Sequence, residues 1–430
     1  MRENRNKLIT IMRIFIISNT HYKMENYHDP IKHVKFLRQT LSQDKKPIGF
    51  LISAGCPLAV KMPDGKWPLI ADVAGLTKYI KEELSSKTKE GNKFDSLLKE
   101  VELSKKSIDN VEDILSFIRG LKEVSIGNSV RGFTEEELSE LEKNICSKIV
   151  GKLDVALPDR NSPYHKLANW INIEREKPIE IFTTNYDLLL EQAFEDTSLP
   201  YFDGFVGSRQ SFFDLRSVED NLIPKHWTRL WKIHGSINWF QKTNKEVFRS
   251  SKTSEIDASH LIYPSHLKYD QSRKMPYLAL IDQLSRFIRN PNSLLIICGY
   301  SFGDEHINDT ILSALKANPN SMVIAMMFNT LTYKAKDEVI ERYPKAIPLA
   351  LNRSNLAIWT LDEAILGTVR GKWKVIGEFE EEDNLAKCVE MVNETGNDEM
   401  CYHLKLGDFS KMGDFLQALI AYNQTKLDEE

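Results

Sequence analysis

Three short segments constrain this chain most: Thr183-Thr184-Asn185-Tyr186-Asp187, Lys232-Ile233-His234-Gly235-Ser236 and Gly299-Tyr300-Ser301-Phe302-Gly303-Asp304. Each follows an apolar, β-branched run: Ile179 to Phe182, Leu230 to Ile233 and Leu294 to Cys298. Runs of this kind make strands buried on both faces of a parallel sheet. Polar groups just past the carboxyl ends of such strands fall in the crevice where open α/β sheets bind ligands. An Asn, a His and a Gly-Ser turn on one rim therefore read as a nucleotide pocket holding a catalytic group.

The order of elements supports the same fold. Residues 29–43 form an amphipathic pattern, with Asp29 as cap, Pro30 in the first turn, and Ile31, Val34, Leu37 and Leu41 on one face. Ile48 to Ile52 is a first buried strand, turning at Ser53-Ala54-Gly55. Residues 72–175 are charged and low in Gly and Pro, and Val111, Ile114, Leu115, Ile118, Leu138, Leu141 and Ile145 keep helical spacing. After residue 178, strands at 179–182, 230–233, 294–298, 322–328 and 356–361 alternate with helices. Those helices contain Leu188, Leu189 and Phe194, cover 331–343, and begin at Asp362-Glu363-Ala364. The pattern predicts an α/β fold: a Rossmann-like doubly wound parallel sheet with a helical insertion as a small subdomain and a short C-terminal extension.

Three stretches follow: an N-terminal segment and helix over 1–47, a nucleotide-binding domain over 48–370, and an extension over 371–430. The extension is acidic at 378–383 and helical around Phe415 to Tyr422, and is expected to form a partner or oligomer contact or a small cap. Residues 7–18 weakly resemble a signal peptide, but Arg13 interrupts the run and it is too short to cross a bilayer. Residues 1–23 are read as disordered, or as lying ahead of a start at Met24, and no membrane role is expected.

Composition excludes several classes. With 42% hydrophobic and 27% charged residues the chain is ordinary globular protein, and its net charge of −4 gives no push toward nucleic acid. The cysteines Cys56, Cys146, Cys298, Cys388 and Cys401 are scattered, without a Cys-x-x-Cys pair. Neither a disulfide framework nor a zinc ribbon is supported, and a reducing, cytoplasmic compartment is expected.

Each strand end offers specific chemistry. A turn at Ser53-Ala54-Gly55 lets backbone approach a pyrophosphate, or simply ends a strand. Asn185 can meet ribose hydroxyls or orient a water, while Asp187 can cap the next helix or face the ligand. His234 titrates near neutrality and suits a general base; a structural histidine is its alternative. Gly299 and Ser301 can meet phosphate or ribose, and Asn329 ends the strand where a second ribose lies in a doubly wound sheet. Asp304 is read as the cap of a helix carrying His306 and Asn308. Two ligand types without a third nearby make no metal site.

Taken together, these motifs resemble the sirtuin family, in its bacterial sirtuin-like branch of NAD-cleaving effectors in anti-phage defence. The likeness spans 48–366 and rests on Ser53-Ala54-Gly55, Thr184-Asn185-Tyr186-Asp187, His234-Gly235-Ser236 and Gly299-Tyr300-Ser301. The family's Gly-Ala-Gly is Ser53-Ala54-Gly55 here, and its following Ser is Pro57. The resemblance implies Asn185 and His234 as catalytic residues. It further implies NAD⁺ held by Ala54, Gly55, Thr184, Asp187, Gly299, Ser301 and Asn329. Deacylase sirtuins carry four zinc-binding cysteines after the catalytic His, whereas residues 235–297 contain none. The implied activity is therefore NAD glycohydrolysis without zinc, with a non-catalytic NAD- or ADP-ribose-sensing subunit as second reading and a deacylase or ADP-ribosyltransferase as third. The implied partners are further copies of the chain and a hexameric translocase-type ATPase or an Argonaute-like protein, since the sequence has no Walker loop.

Overall fold

The computed structural model describes residues 26–85, 92–242, 244, 246–251, 258–262, 276–336, 338–376, 387–393 and 400–428. The apolar run 7–18 and the acidic stretch 378–383 lie outside them. The principal sheet is built from β1 (Tyr27–His28), β2 (Ile48–Ile52), β3 (Glu180–Thr183), β4 (Tyr201–Phe202), β5 (Thr228–Lys232), β6 (Leu294–Cys298), β7 (Met322–Met326), β8 (Leu356–Trp359), β9 (Glu363–Leu366) and β10 (Val369–Trp373). These ten strands are ordered β1-β10-β9-β8-β7-β6-β2-β3-β5-β4. From β8 through to β4 every neighbouring pair is parallel.

Setting aside the edges, the order β5-β3-β2-β6-β7-β8 is the 3-2-1-4-5-6 winding of a dinucleotide-binding fold. The chain leaves β2 outward through β3 and β5, then returns to the other side of β2 with β6. The winding order reverses between the parallel strands β2 and β6, so a crevice opens at their carboxyl ends.

Two cores flank the sheet because successive side chains point to opposite faces. Ile48, Phe50, Ile52, Leu294, Ile296 and Cys298 enter one core. Leu51, Leu295 and Ile297 enter the other. The first core is covered by α1 (Pro30–Leu41) and by helices of the insertion between β2 and β3: α2 (Val73–Leu84), α3 (Lys93–Leu103), α4 (Val111–Val124), α5 (Glu135–Leu153) and α6 (Pro163–Ile171). After β3 comes α7 (Leu189–Asp196), and the second core is covered by α8 (Tyr277–Arg289), α9 (Glu305–Ala317) and α10 (Ala346–Leu351). The insertion's boundaries are set locally: Asn92 with Asp95, and Thr134 with Glu137, form reciprocal capping boxes at the starts of α3 and α5.

Two sequence expectations are corrected. Residues 331–343 are not a helix but an antiparallel hairpin, Thr332–Ala335 with Glu338–Glu341. Thr332, Tyr333, Val339 and Ile340 favour extended backbone, and Lys336 turns with φ of 56°. Asp362 does not start a helix; it closes a tight turn into β9, accepting from Leu331 N at 2.8 Å and Thr360 Oγ1 at 3.0 Å. The sheet thereby gains an antiparallel edge, β9 and β10, which the parallel expectation lacked.

Past β10 the chain turns back onto the fold. Leu404 N donates to Leu361 O at 2.8 Å. A Cβ on Gly407 would lie 1.9 Å from Met327 O, so only glycine permits this approach. The following helix α11 (Phe409–Asp428) buries Phe409, Met412, Phe415, Leu416 and Leu419. Phe409 meets the Tyr164 ring edge-on at 5.2 Å, and Lys166 pairs with Asp414 at 2.6 Å. Up to Leu419, the apolar residues of this helix are spent on the chain's own core. Among the described residues no helix is long and apolar enough to cross a membrane.

Because Leu416 is fully buried, Leu416→Ala should destabilise the protein by roughly 2–5 kcal/mol. A urea midpoint clearly below wild type would show it. An unchanged midpoint would mean that α11 is not part of the cooperative core.

Candidate active site

A cavity of about 410 Å³ opens where the sheet reverses. Its floor is made by the strand-end loops: Ser53 and Ala54 after β2, Thr184 to Asp187 after β3, His234 after β5, and Tyr300, Ser301, Gly303 and Asp304 after β6. Its wall comes from the insertion: Ile70, Ala71, Val73, Leu76, Asn110, Glu112 and Leu153. Lys345, at the start of α10, stands at the rim.

The floor is held by backbone. Ser53 N donates to Cys298 O at 3.0 Å and Gly55 N to Gly299 O at 2.9 Å, joining the β2 and β6 loops. Ser53 Oγ lies 2.5 Å from Thr184 Oγ1, which ties in the β3 loop. Gly299 has φ of 67°, and a Cβ there would lie 2.6 Å from Cys56 N; one on Gly55 would lie 2.8 Å from Gly299 Cα. These two glycines are required by the contact between loops. Neither is among the residues lining the cavity, contrary to the expectation that they approach a phosphate.

Asn185 and Asp187 form one unit. Asn185 is 8% exposed, and its Nδ2 donates to Ser53 O at 3.4 Å. Its amide also donates to the Asp187 carboxylate. Both partners are acceptors, so the amide NH₂ faces inward and the carbonyl oxygen is left for a ligand hydroxyl or water. Asp187 accepts from Leu189 N at 3.0 Å in the turn ahead of α7, whose N-cap position is Leu188 with no side-chain cap, and Asp187 also lines the cavity. Burial pushes its carboxyl up to about 6, against the pull of Lys232 and its hydrogen bonds.

Beneath this loop, Lys232 is buried. Its Nζ donates to Glu191 Oε1 at 2.7 Å and to the Asp187 carbonyl. A buried ammonium must be paired where it sits, so it pins the loop that carries Asn185. Tyr186, between Asn185 and Asp187, reaches the other way: its hydroxyl donates to Glu112 Oε1 at 2.9 Å, latching the insertion onto the floor. Its carbonyl accepts from Ile237 N at 2.9 Å, fixing the turn after His234.

His234 sits between the parallel strand β5 and the antiparallel strand Gly235–Lys242. Gly235 has φ of 89°, which makes the change of direction possible. Gly235–Lys242 joins a second, five-stranded sheet that occupies the region where the sequence has no cysteine. His234 Nε2 lies 3.0 Å from Asp304 Oδ2, with both side chains 7% exposed. Sequence reading took Asp304 for a helix cap alone. Nothing in its local pattern signals a histidine partner seventy positions away in the chain, at the end of another strand.

The expected residues thus divide. Ala54, Thr184, Asn185, Asp187, His234 and Ser301 meet around one cavity, while Gly55 and Gly299 support it from below. Asn329 is not brought in: its Oδ1 accepts from Thr330 N at 3.0 Å, and its N–H donates to the Tyr343 hydroxyl. Its short carboxamide caps its own turn instead of facing a ribose. Glu112, Asp304 and Lys345 line the cavity without having been singled out as site residues. Among the described residues there is no group of three or more His, Cys, Asp or Glu arranged to hold a metal ion.

Asp187 gives a pH signature. Its carboxyl binds a proton more tightly folded than unfolded, so its contribution to stability is full below about pH 4 and is lost as pH rises through about 6. The unfolding midpoint of wild type should therefore fall relative to Asp187→Asn between about pH 4 and 6. Parallel curves would contradict the assignment.

Residues 179–347 match the SIR2-like domain family, a stretch that holds all the strand-end segments except Ser53-Ala54-Gly55. None of the curated proteins compared with the chain matches it. Two solved structures are similar in part. One, from work on the mechanism and regulation of Sir2 enzymes, has a TM-score of 0.34 at 12% identity, covering 76% of this chain and 92% of its own. The other, Sir2Tm bound to a propionylated peptide, has a TM-score of 0.31 at 10% identity, covering 69% of this chain and 87% of its own.

Proposed function

We propose that this protein is an NAD⁺ glycohydrolase, cleaving the bond between nicotinamide and ribose to release nicotinamide and ADP-ribose. One observation carries the reading. At the reversal point of a 3-2-1-4-5-6 sheet, a cavity brings together a buried asparagine and a buried histidine within a stretch similar to SIR2-like domains.

The chemistry needs few groups. Nicotinamide is cationic in NAD⁺ and leaves neutral, so no general acid is called for. As the C–N bond breaks, its electron pair goes to nicotinamide and positive charge develops on the ribose. A water then bonds to that carbon and loses a proton. Asn185, its carbonyl oxygen free, orients the water or a ribose hydroxyl; His234 accepts the proton, a contribution of roughly 10²–10⁴-fold. The apolar wall of Ile70, Leu76 and Leu153 excludes bulk water, and the Asp187 and Glu112 carboxylates favour the cationic ribose. Lys345 is the cation available to a phosphate at the rim. A cavity of about 410 Å³ is within the ordinary range for such ligands.

In this proposal the enzyme acts in the cytoplasm as an NAD-depleting effector of anti-phage defence. An unrestrained NAD hydrolase is toxic to its own cell, so activity awaits assembly of copies of the chain. A partner such as a hexameric translocase-type ATPase or an Argonaute-like protein is a second route to the same control.

Purified protein incubated with NAD⁺ should release nicotinamide, followed by chromatography. His234→Ala and Asn185→Ala should each lower the rate by roughly 10²-fold or more. Tight NAD⁺ binding with no release, including after candidate partners are added, would replace this reading with a nucleotide-sensing subunit.

A further inference from the structure

Resting on the NAD⁺ reading, we infer that Lys345 is the specificity-determining residue of the cavity: together with Ser301 it holds the pyrophosphate, and so selects a dinucleotide over a nicotinamide nucleoside. Among the described residues that line the cavity it is the one lysine or arginine, set against the carboxyl groups of Glu112, Asp187 and Asp304. A ligand carrying two phosphates is repelled by most of such a lining and finds a counter-charge at one place.

The lysine is held from behind, at the end of β7. Ala346 N and Ile347 N both donate to Tyr343 O at 3.1 Å, and Asn329 N donates to the Tyr343 hydroxyl at 3.0 Å. Ala346 and Ile347 are buried in the second core, which fixes the backbone on the far side of Lys345. From there the side chain reaches the loop of the neighbouring strand β6 and donates to Gly303 O at 3.4 Å. That is its one polar contact among the described residues. An ammonium has three N–H donors, so two remain for a ligand. Asp304, next in the chain after Gly303, pairs with His234 instead.

Ser301 stands at the same spot. A Cβ on Gly303 would lie 3.3 Å from Ser301 Oγ, so hydroxyl and ammonium flank one glycine. Ser301 is exposed, and its hydroxyl makes no hydrogen bond among the described residues. The turn between them is fixed: Phe302 is 1% exposed with φ of 58°, and its carbonyl accepts from Asn308 Nδ2 at 2.9 Å. Two donors on a fixed turn, one of them charged, suit phosphate oxygens.

The opposite sign is gathered elsewhere. Asp187 lies in the β3 loop, and Glu112 is bound to that loop through Tyr186. Because β2 runs between β3 and β6, about 10 Å, two strand spacings, separates those carboxylates' loop from the lysine's. NAD⁺ is polar in the same sense, with a cationic nicotinamide at one end and an anionic pyrophosphate further along. The cavity therefore takes it in one direction, and a nicotinamide nucleoside lacks the group that Lys345 holds.

Titration calorimetry with ADP-ribose and with nicotinamide riboside, on wild type, Lys345→Gln and Lys345→Arg, tests this without turnover. Glutamine can still donate to Gly303 O but carries no charge. Lys345 is exposed, so the three thermal midpoints should agree. ADP-ribose affinity should fall about 10–100-fold in Lys345→Gln and largely return in Lys345→Arg. Added KCl should weaken ADP-ribose binding more in wild type than in Lys345→Gln. Nicotinamide riboside should bind weakly, and no differently among the three. With NAD⁺ as substrate the loss in Lys345→Gln should fall on KM. ADP-ribose affinities of wild type and Lys345→Gln within about twofold, no ADP-ribose binding to wild type, or an equal loss for both ligands would each overturn the assignment. If the binding results hold and no nicotinamide is released, the glycohydrolase reading fails while the role of Lys345 stands.

Discussion

The site depends on two backbones touching. Gly55 and Gly299 come so close that a Cβ on either would fall within 3.0 Å of the other loop, and one hydrogen bond between them registers the ends of β2 and β6. Adjacent parallel strands normally diverge into separate crossovers; here the loops stay zipped for a few residues past the sheet. That zipper sets the height of Ser53 and Ala54 on one side and of Tyr300 to Asp304 on the other. The Thr184 loop is tied to it through Ser53.

Around this fixed floor the structure uses buried polar contacts as pins. Lys232 reaches beneath the Asn185 loop, Tyr186 reaches above it to Glu112, and Asp304 crosses from a different strand to His234. Each joins elements distant in the chain. Removing one partner from such a contact leaves the other desolvated, so these positions are less forgiving than the apolar wall. The wall is made by the insertion, partly from its helices and partly from the segments just ahead of them, Ile70, Ala71 and Asn110.

Much of this was legible in the sequence, for a physical reason. A strand buried on both faces is dominated by apolar residues, so β2, β6, β7 and β8 stand out as runs and β3 and β5 do so despite Glu180, Arg229 and Lys232; whatever follows them lies on one rim. Asn185 and His234 are found by that logic alone. The misses have causes too. The hairpin over 332–341 reads as helix because its charged residues suit either state, while Thr332, Tyr333, Val339 and Ile340 and the turn at Lys336 favour the paired strands. Asn329 is at the expected strand end, but its carboxamide is taken by its own backbone. Gly55 and Gly299 were noticed for the right freedom and the wrong neighbour: the close approach is to each other. The Asp304 contact has no local signature, because it depends on which strand ends are brought together.

The position of α11 has a consequence for the order in which a newly made chain becomes competent. Its supports, Gly407 against Met327 and Phe409 against Tyr164, are separated from the Ser53 loop by most of the chain, and α11 lies against the turn Cys56–Ala59 that continues that loop. His234, Asn185 and the strands that carry them leave the ribosome before this brace does. The loop after β2 therefore gains this support only once the end of the chain has been made, although every residue lining the cavity precedes it.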